Sequence, residues 1–128
     1  MNVIVDASAV GAVLFDEPEG PMVLAHVEDD TLVAPHLIDY EIATIGLMKL
    51  RRGLEGQPQV IAALEGFRFS GIRRVRVPAV AAIALALQTG VSASDAAYLW
   101  LALSMDCELV TLDRKLSAAD RRLRGDPA

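Results

Sequence analysis

Four acidic side chains stand at positions that a merely solvated acid does not favour. Asp6 ends the β-branched run Val3-Ile4-Val5, and Asp113 follows the apolar stretch Leu109-Val110-Thr111-Leu112. Glu41 sits among Leu37, Ile38, Ile45 and Met48, which lie at i−4, i−3, i+4 and i+7 and form an apolar helical stripe. Asp95 opens the run Ala96-Ala97-Tyr98-Leu99-Trp100-Leu101-Ala102-Leu103. Each position also has a plain structural explanation. Asp113 fits a turn or helix cap, Glu41 fits the rim of a core, and Asp95 fits a first helical turn facing the helix dipole. Against the cap explanation for Asp95, Ser94 already supplies a good N-cap. Against a local ion pair for Glu41, no Lys or Arg precedes Lys49.

Brought together, these carboxylates would repel one another and raise their pKa values. A hard divalent cation relieves that repulsion, and oxygen donors suit magnesium or manganese rather than zinc or copper. Such cations complete their shells with phosphate oxygens, so a cleft lined by these acids suits phosphate-ester chemistry. Two ions about 4 Å apart can activate water and stabilise the leaving oxygen of an in-line displacement. No phosphate-binding glycine loop, dinucleotide fingerprint or serine nucleophile motif is present.

The elements that must position the acids alternate between short apolar runs and helical patterns. Strands are expected over 3–5, 31–34, 75–77 and 108–112. Helices are expected over 9–15 (capped by Ser8), 19–28, 36–52, 58–67, 80–89 and 95–105 (capped by Ser94). The tail from about 117 to 124 is a short helix or a frayed end. This alternation predicts an α/β sandwich around a mostly parallel sheet, in which ligands bind beyond the carboxyl ends of the strands.

Composition sets the remaining bounds. The chain has 128 residues, 53% of them hydrophobic, which suits one domain over 1–128 and excludes disorder as its main state. A single cysteine, Cys107, excludes a disulfide scaffold and a multi-cysteine zinc site, and points to a reducing, cytoplasmic setting. The longest near-continuous apolar run, 77–87, falls short of the roughly 20 residues a membrane span needs. The first 48 residues hold nine acids and no Lys or Arg, so they carry −9 while the rest carry +4. A phosphate-bearing partner therefore meets local basic surface or a metal, not a basic coat. Trp100 and Tyr98 suit the core, His26 and His36 the surface or loops, and Cys107 a small apolar filler. The apolar surplus predicts an exposed interface on the helices spanning 8–28 or on the long helix from His36.

The segments VIVDASA, PHLIDYEIA, SASDAAYLWLA and LVTLDRKL, in that order, resemble the acidic motifs of PIN domains, and more narrowly those of VapC-type toxins of bacterial toxin–antitoxin pairs. The resemblance spans 2–116. It implies a three-layer α/β/α sandwich with a central, mostly parallel sheet. It also implies a magnesium- or manganese-dependent endoribonuclease acting on structured RNA such as tRNA or rRNA, a homodimer, and a small VapB-like antitoxin. By position, Asp6, Glu41 and Asp95 would be the core metal-site acids, Asp113 a fourth, and Ser8 and Thr111 supporting hydroxyls. Arg114 and Lys115 are candidate RNA phosphate contacts. Met105-Asp106-Cys107-Glu108 departs from the family, where glycine is common in this loop. The alternatives are a PIN-type nuclease outside a toxin–antitoxin pair, cutting DNA or RNA, and a non-catalytic antitoxin-binding PIN domain. Haloacid-type phosphatases want a second acid where Ser8 stands. Receiver domains want paired acids near the first strand and a Lys after a late strand, and both fit poorly.

Overall fold

The computed structural model describes residues 1–68 and 70–125. In chain order the elements are β1 (Asn2–Val5), α1 (Ala7–Leu14), α2 (Gly20–Val27), β2 (Thr31–Pro35), α3 (Ile38–Arg51), α4 (Gln57–Arg68), β3 (Arg73–Val75), α5 (Ala79–Thr89), α6 (Ala93–Ser104), β4 (Glu108–Val110) and α7 (Arg114–Leu123). The strands form one sheet in the order β3-β2-β1-β4, every pairing parallel. β1 lies inside the sheet, and its consecutive Val3, Ile4 and Val5 are all buried. Burial on both faces is what a compact β-branched run of this kind demands. Helix α6 packs on β1, β2 and β4, while α1 packs against α2, α3 and α4. One apolar cluster takes residues from Val3 to Ala119. Among the described residues no single helix is long and apolar enough to cross a membrane.

The expected elements are all present, with shifted ends that have local causes. α1 starts at Ala7 because Asp6, not Ser8, accepts the capping hydrogen bond from the Ala9 N–H. Ser92, not Ser94, caps α6. β4 stops at Val110 because side chains claim the next amides: Leu112 N–H donates to Ser8 Oγ at 2.9 Å and Asp113 N–H to Thr111 Oγ1 at 3.0 Å. β3 pairs through Arg73–Val75, two residues earlier than expected, and Arg76 and Val77, before Pro78, lie outside the strand. The tail forms α7, capped by Asp113.

The α1–α2 corner depends on a missing side chain. A Cβ on Gly20 would stand 2.6 Å from the Ala12 carbonyl oxygen and 3.2 Å from its carbon. Backbone cannot yield as a flexible side chain does, so Gly20→Ala forces the two helices apart. It is expected to destabilise the fold by about 2 kcal/mol. Urea unfolding checks this as a lower midpoint at unchanged slope.

Candidate active site

Asp6 is the most enclosed of the four acids, at 5% exposure, and both its oxygens are engaged. Oδ1 accepts from Ser8 Oγ at 2.7 Å and from the Ala9 N–H at 3.0 Å. Oδ2 accepts from Thr111 Oγ1 at 2.5 Å. Ser8 and Thr111 stand 3.3 Å apart, but each hydroxyl has one proton and gives it to Asp6. Each hydroxyl oxygen also accepts a backbone N–H, from Leu112 and Asp113 respectively. The two hydroxyls thus clip the loop after β4 onto the end of β1 and fix the rotation of the Asp6 carboxylate. Three of its roughly four acceptor sites are filled, which leaves one for a further ligand.

Glu41, one turn into α3, is half-buried and accepts from the Tyr98 hydroxyl at 2.5 Å. Tyr98 is core by burial, at 1% exposure, yet its hydroxyl enters the site. Its role was not read from the sequence. The available signal was spacing: Asp95 and Tyr98 lie at i and i+3 on α6 and share a face. Asp95 itself is half-buried, and its N–H donates to Ser92 Oγ at 3.1 Å. Ser92 therefore does the capping, and the Asp95 carboxylate is not tied up in it. Asp113 is exposed, and its Oδ1 accepts from the Leu116 N–H at 3.0 Å. The capping explanation holds for Asp113 and for Asp6, and it leaves one Asp113 oxygen uncommitted.

The four acids feel one another. Burial raises the pKa of Asp6, and the Asp113 charge adds to it. Burial raises Glu41, reinforced by Asp95 and Asp6 and opposed by the Tyr98 hydroxyl. Burial raises Asp95, reinforced by Asp113 and Asp6 and opposed by the Ser92 hydrogen bond and by Lys115. Burial, then the Glu41 carboxylate, pushes the Tyr98 hydroxyl far up, so it remains a donor. The donors are carboxylates and hydroxyls, with no thiol or imidazole in these contacts, a set that suits a hard divalent cation. Among the described residues no three His, Cys, Asp or Glu side chains already stand at metal-ligand spacing.

The basic residues divide. Lys49 is buried against the Phe15 ring and paired with Glu17 at 2.7 Å. Arg74 is fastened to Asp39 at 2.9 Å and lies over the Phe67 ring. Asp39 is accordingly outside the site, as its helix position implied. Arg114 and Lys115 are exposed beside Asp113. His26 is exposed and paired with Glu108 at 2.9 Å, His36 is exposed, and Cys107 is partly buried against the core.

A parallel sheet whose first strand delivers an acid to its carboxyl edge, flanked by acids from α3, α6 and the loop after β4, defines a class. The PIN domain family model matches residues 3–122, and the chain belongs to the PIN-domain family. More narrowly, it is 34% identical over 116 residues to the VapC ribonuclease Mb0985 of Mycobacterium bovis and to ribonuclease VapC9 of Mycobacterium tuberculosis, covering 90% of this chain and 88% of theirs. It is 33% identical over 123 residues to ribonuclease VapC3 of Pyrobaculum aerophilum, covering 91% of this chain and 93% of that one. Among solved structures, PAE2754 of Pyrobaculum aerophilum superposes with a TM-score of 0.72 at 27% identity, covering 93% of this chain and 84% of that one. The fold is also that of VapC20 of Mycobacterium tuberculosis, described as a sarcin-ricin loop cleaving toxin, with a TM-score of 0.67 at 16% identity over 91% of this chain and 94% of that one.

Proposed function

We propose that the chain is the toxin of a toxin–antitoxin pair, a magnesium- or manganese-dependent endoribonuclease that cleaves structured RNA, with tRNA or rRNA as target. The observation that carries this reading is the hydrogen-bonded convergence of the acids' neighbours: Ser8 and Thr111 tie Asp6 to the loop bearing Asp113, and Tyr98, one turn along α6 from Asp95, donates to Glu41. The VapC ribonucleases matched over nine-tenths of the chain support the choice of RNA.

Asp6, Glu41 and Asp95 would hold the cation, with the free oxygen of Asp113 beside them. A bound divalent ion supplies charge neutralisation at the scissile phosphate and acidifies water. The protein's own contribution is placement. Ser8 and Thr111 hold the Asp6 carboxylate in one rotation, and Tyr98 holds one oxygen of Glu41. Arg114 and Lys115, exposed at the rim, would meet phosphates flanking the cut. A VapB-like antitoxin and a second copy of the chain are the expected protein partners, in the cytoplasm. Exposed Met22 and Leu24 on α2, and Tyr40 and Leu47 on α3, support an interface on those helices.

The test is incubation of the purified protein with total RNA and manganese, mapping new ends, beside RNA and DNA of matched sequence. Discrete ends in RNA alone support the reading. Cleavage of DNA alone, or of neither, overturns it. Tyr98→Phe removes one oxygen and keeps the ring in the core. It is expected to slow cleavage by about tenfold, since the half-buried Glu41 carboxylate loses the hydroxyl that holds one of its oxygens, at about 1–3 kcal/mol. Single-turnover rates at saturating manganese check this.

A further inference from the structure

Helix α7 carries four basic residues and its C-cap a fifth, and the structure ties down only the last among the described residues. Arg124, at the C-cap, donates to Asp120 at 2.7 Å and to the Cys107 carbonyl at 2.7 Å, tying the helix end to the loop before β4. Arg114, Lys115, Arg121 and Arg122 are exposed. Among the described residues none of these four makes a side-chain hydrogen bond or ion pair. At 100° per residue they fall, with Ala118, within an arc of about 120°, opposite the inward-facing Leu116 and Leu123. The arc is anchored at the candidate site: Asp113 caps the helix, and the Lys115 charge acts on Asp95. It runs about 12 Å from Arg114 to Arg122 at about 1.5 Å per residue. That length is enough to reach beyond the phosphate at the cut to a neighbouring one on the same strand.

We propose that this face of α7 is a track for the RNA backbone, with Arg121 and Arg122 holding phosphate beyond the one at the cut. The proposal rests on the endoribonuclease reading and extends it from the rim to the far end of the helix. A nucleic acid fits better than an acidic protein segment because the track begins where a phosphodiester must lie. Its charge is also needed locally, since the chain carries −5 overall and no cation in its first 48 residues. The competing explanation is that Arg121 and Arg122 merely stabilise the last helical turn through the dipole.

The experiment measures binding of labelled bulk tRNA in EDTA, which prevents cleavage, from about 50 to 300 mM salt. It compares wild type, Arg121→Gln/Arg122→Gln, and Arg51→Gln/Arg52→Gln. The last pair removes the same charge from the end of α3, where a dipole role is equally available. The α7 pair is expected to flatten the slope of log affinity against log salt by about 1.4 to 1.8, with affinity down roughly tenfold near 150 mM. The α3 pair should leave the slope unchanged. Equal slopes in all three proteins, or equal flattening in both variants, overturn the track. So does a variant that binds RNA normally and loses only antitoxin. Thermal melts of each variant show whether the helix survives. A wild type that binds tRNA steeply but cuts no RNA with manganese sinks the nuclease reading and leaves the track standing.

Discussion

Asp6→Asn is expected to abolish RNA cleavage, by at least about a thousandfold, without unfolding the protein. Asn keeps the carbonyl oxygen that accepts the Ala9 N–H, and it ranks with Asp as an N-cap, so α1 retains its start. What it loses is the charge and the acceptor for the Thr111 hydroxyl, because an amide nitrogen only donates. The Asp6 pKa is raised chiefly by burial, which means the folded state disfavours the ionised form, so a neutral isostere relieves a penalty at pH 7. Relief of that penalty offsets the lost Thr111 bond, so the variant should melt close to wild type in EDTA. Asp6→Ala is the poorer experiment. It strips the cap, at about 0.5–2 kcal/mol, and frees Ser8 and Thr111 to turn. Loss of activity there would mix chemistry with local disorder of the loop bearing Asp113. Asn cleaving within tenfold of wild type removes Asp6 from the chemistry.

How much of this was legible in the sequence depends on how local each cause is. Val3-Ile4-Val5 declares a strand buried on both faces because neighbouring residues share the same demand. Asp6 and Asp113 were visible because an acid directly after such a run has few uses. The exact caps were not. Ser8 and Asp6, like Ser94 and Ser92, have almost equal intrinsic preference, and the tie is broken by Thr111 and the first residues of α6, which only folding supplies. β4 ended early for the same reason, since Ser8, 104 positions away in sequence, takes the Leu112 amide. Tyr98 was hidden by its own hydrophobicity. Eight apolar residues in a row announce a core helix, and nothing in that run says that one hydroxyl reaches a glutamate 57 positions earlier. Lys49 is equally hidden, since nothing beside a lysine near a helix end announces burial, yet Glu17 and Phe15 cover it.

Manganese is expected to raise the melting temperature at pH 7.5 by about 10 °C, and by progressively less as the pH falls toward the range where the site's acids take up protons. At about a hundred times its dissociation constant, a ligand specific to the folded state adds about 2.7 kcal/mol, and a chain of this length gains roughly 3–4 °C per kcal/mol. The pH dependence follows from three carboxyls. Asp6 and Asp95 are raised above 3.8 and Glu41 above 4.5, each first by burial. A raised carboxyl keeps its proton longer when folded, so the native state binds more protons and stability falls as pH climbs. That decline starts near the unfolded values of 3.8 and 4.5 and continues to the raised folded ones. In EDTA these groups weaken the fold through that window; a cation needs the same groups ionised and strengthens it there. Comparison with Asp6→Asn isolates the contribution of this one carboxyl. Melts in EDTA and in manganese over a descending pH series decide the matter: a manganese shift that does not shrink as the pH falls, or that survives Asp6→Asn, places the ion somewhere other than these acids.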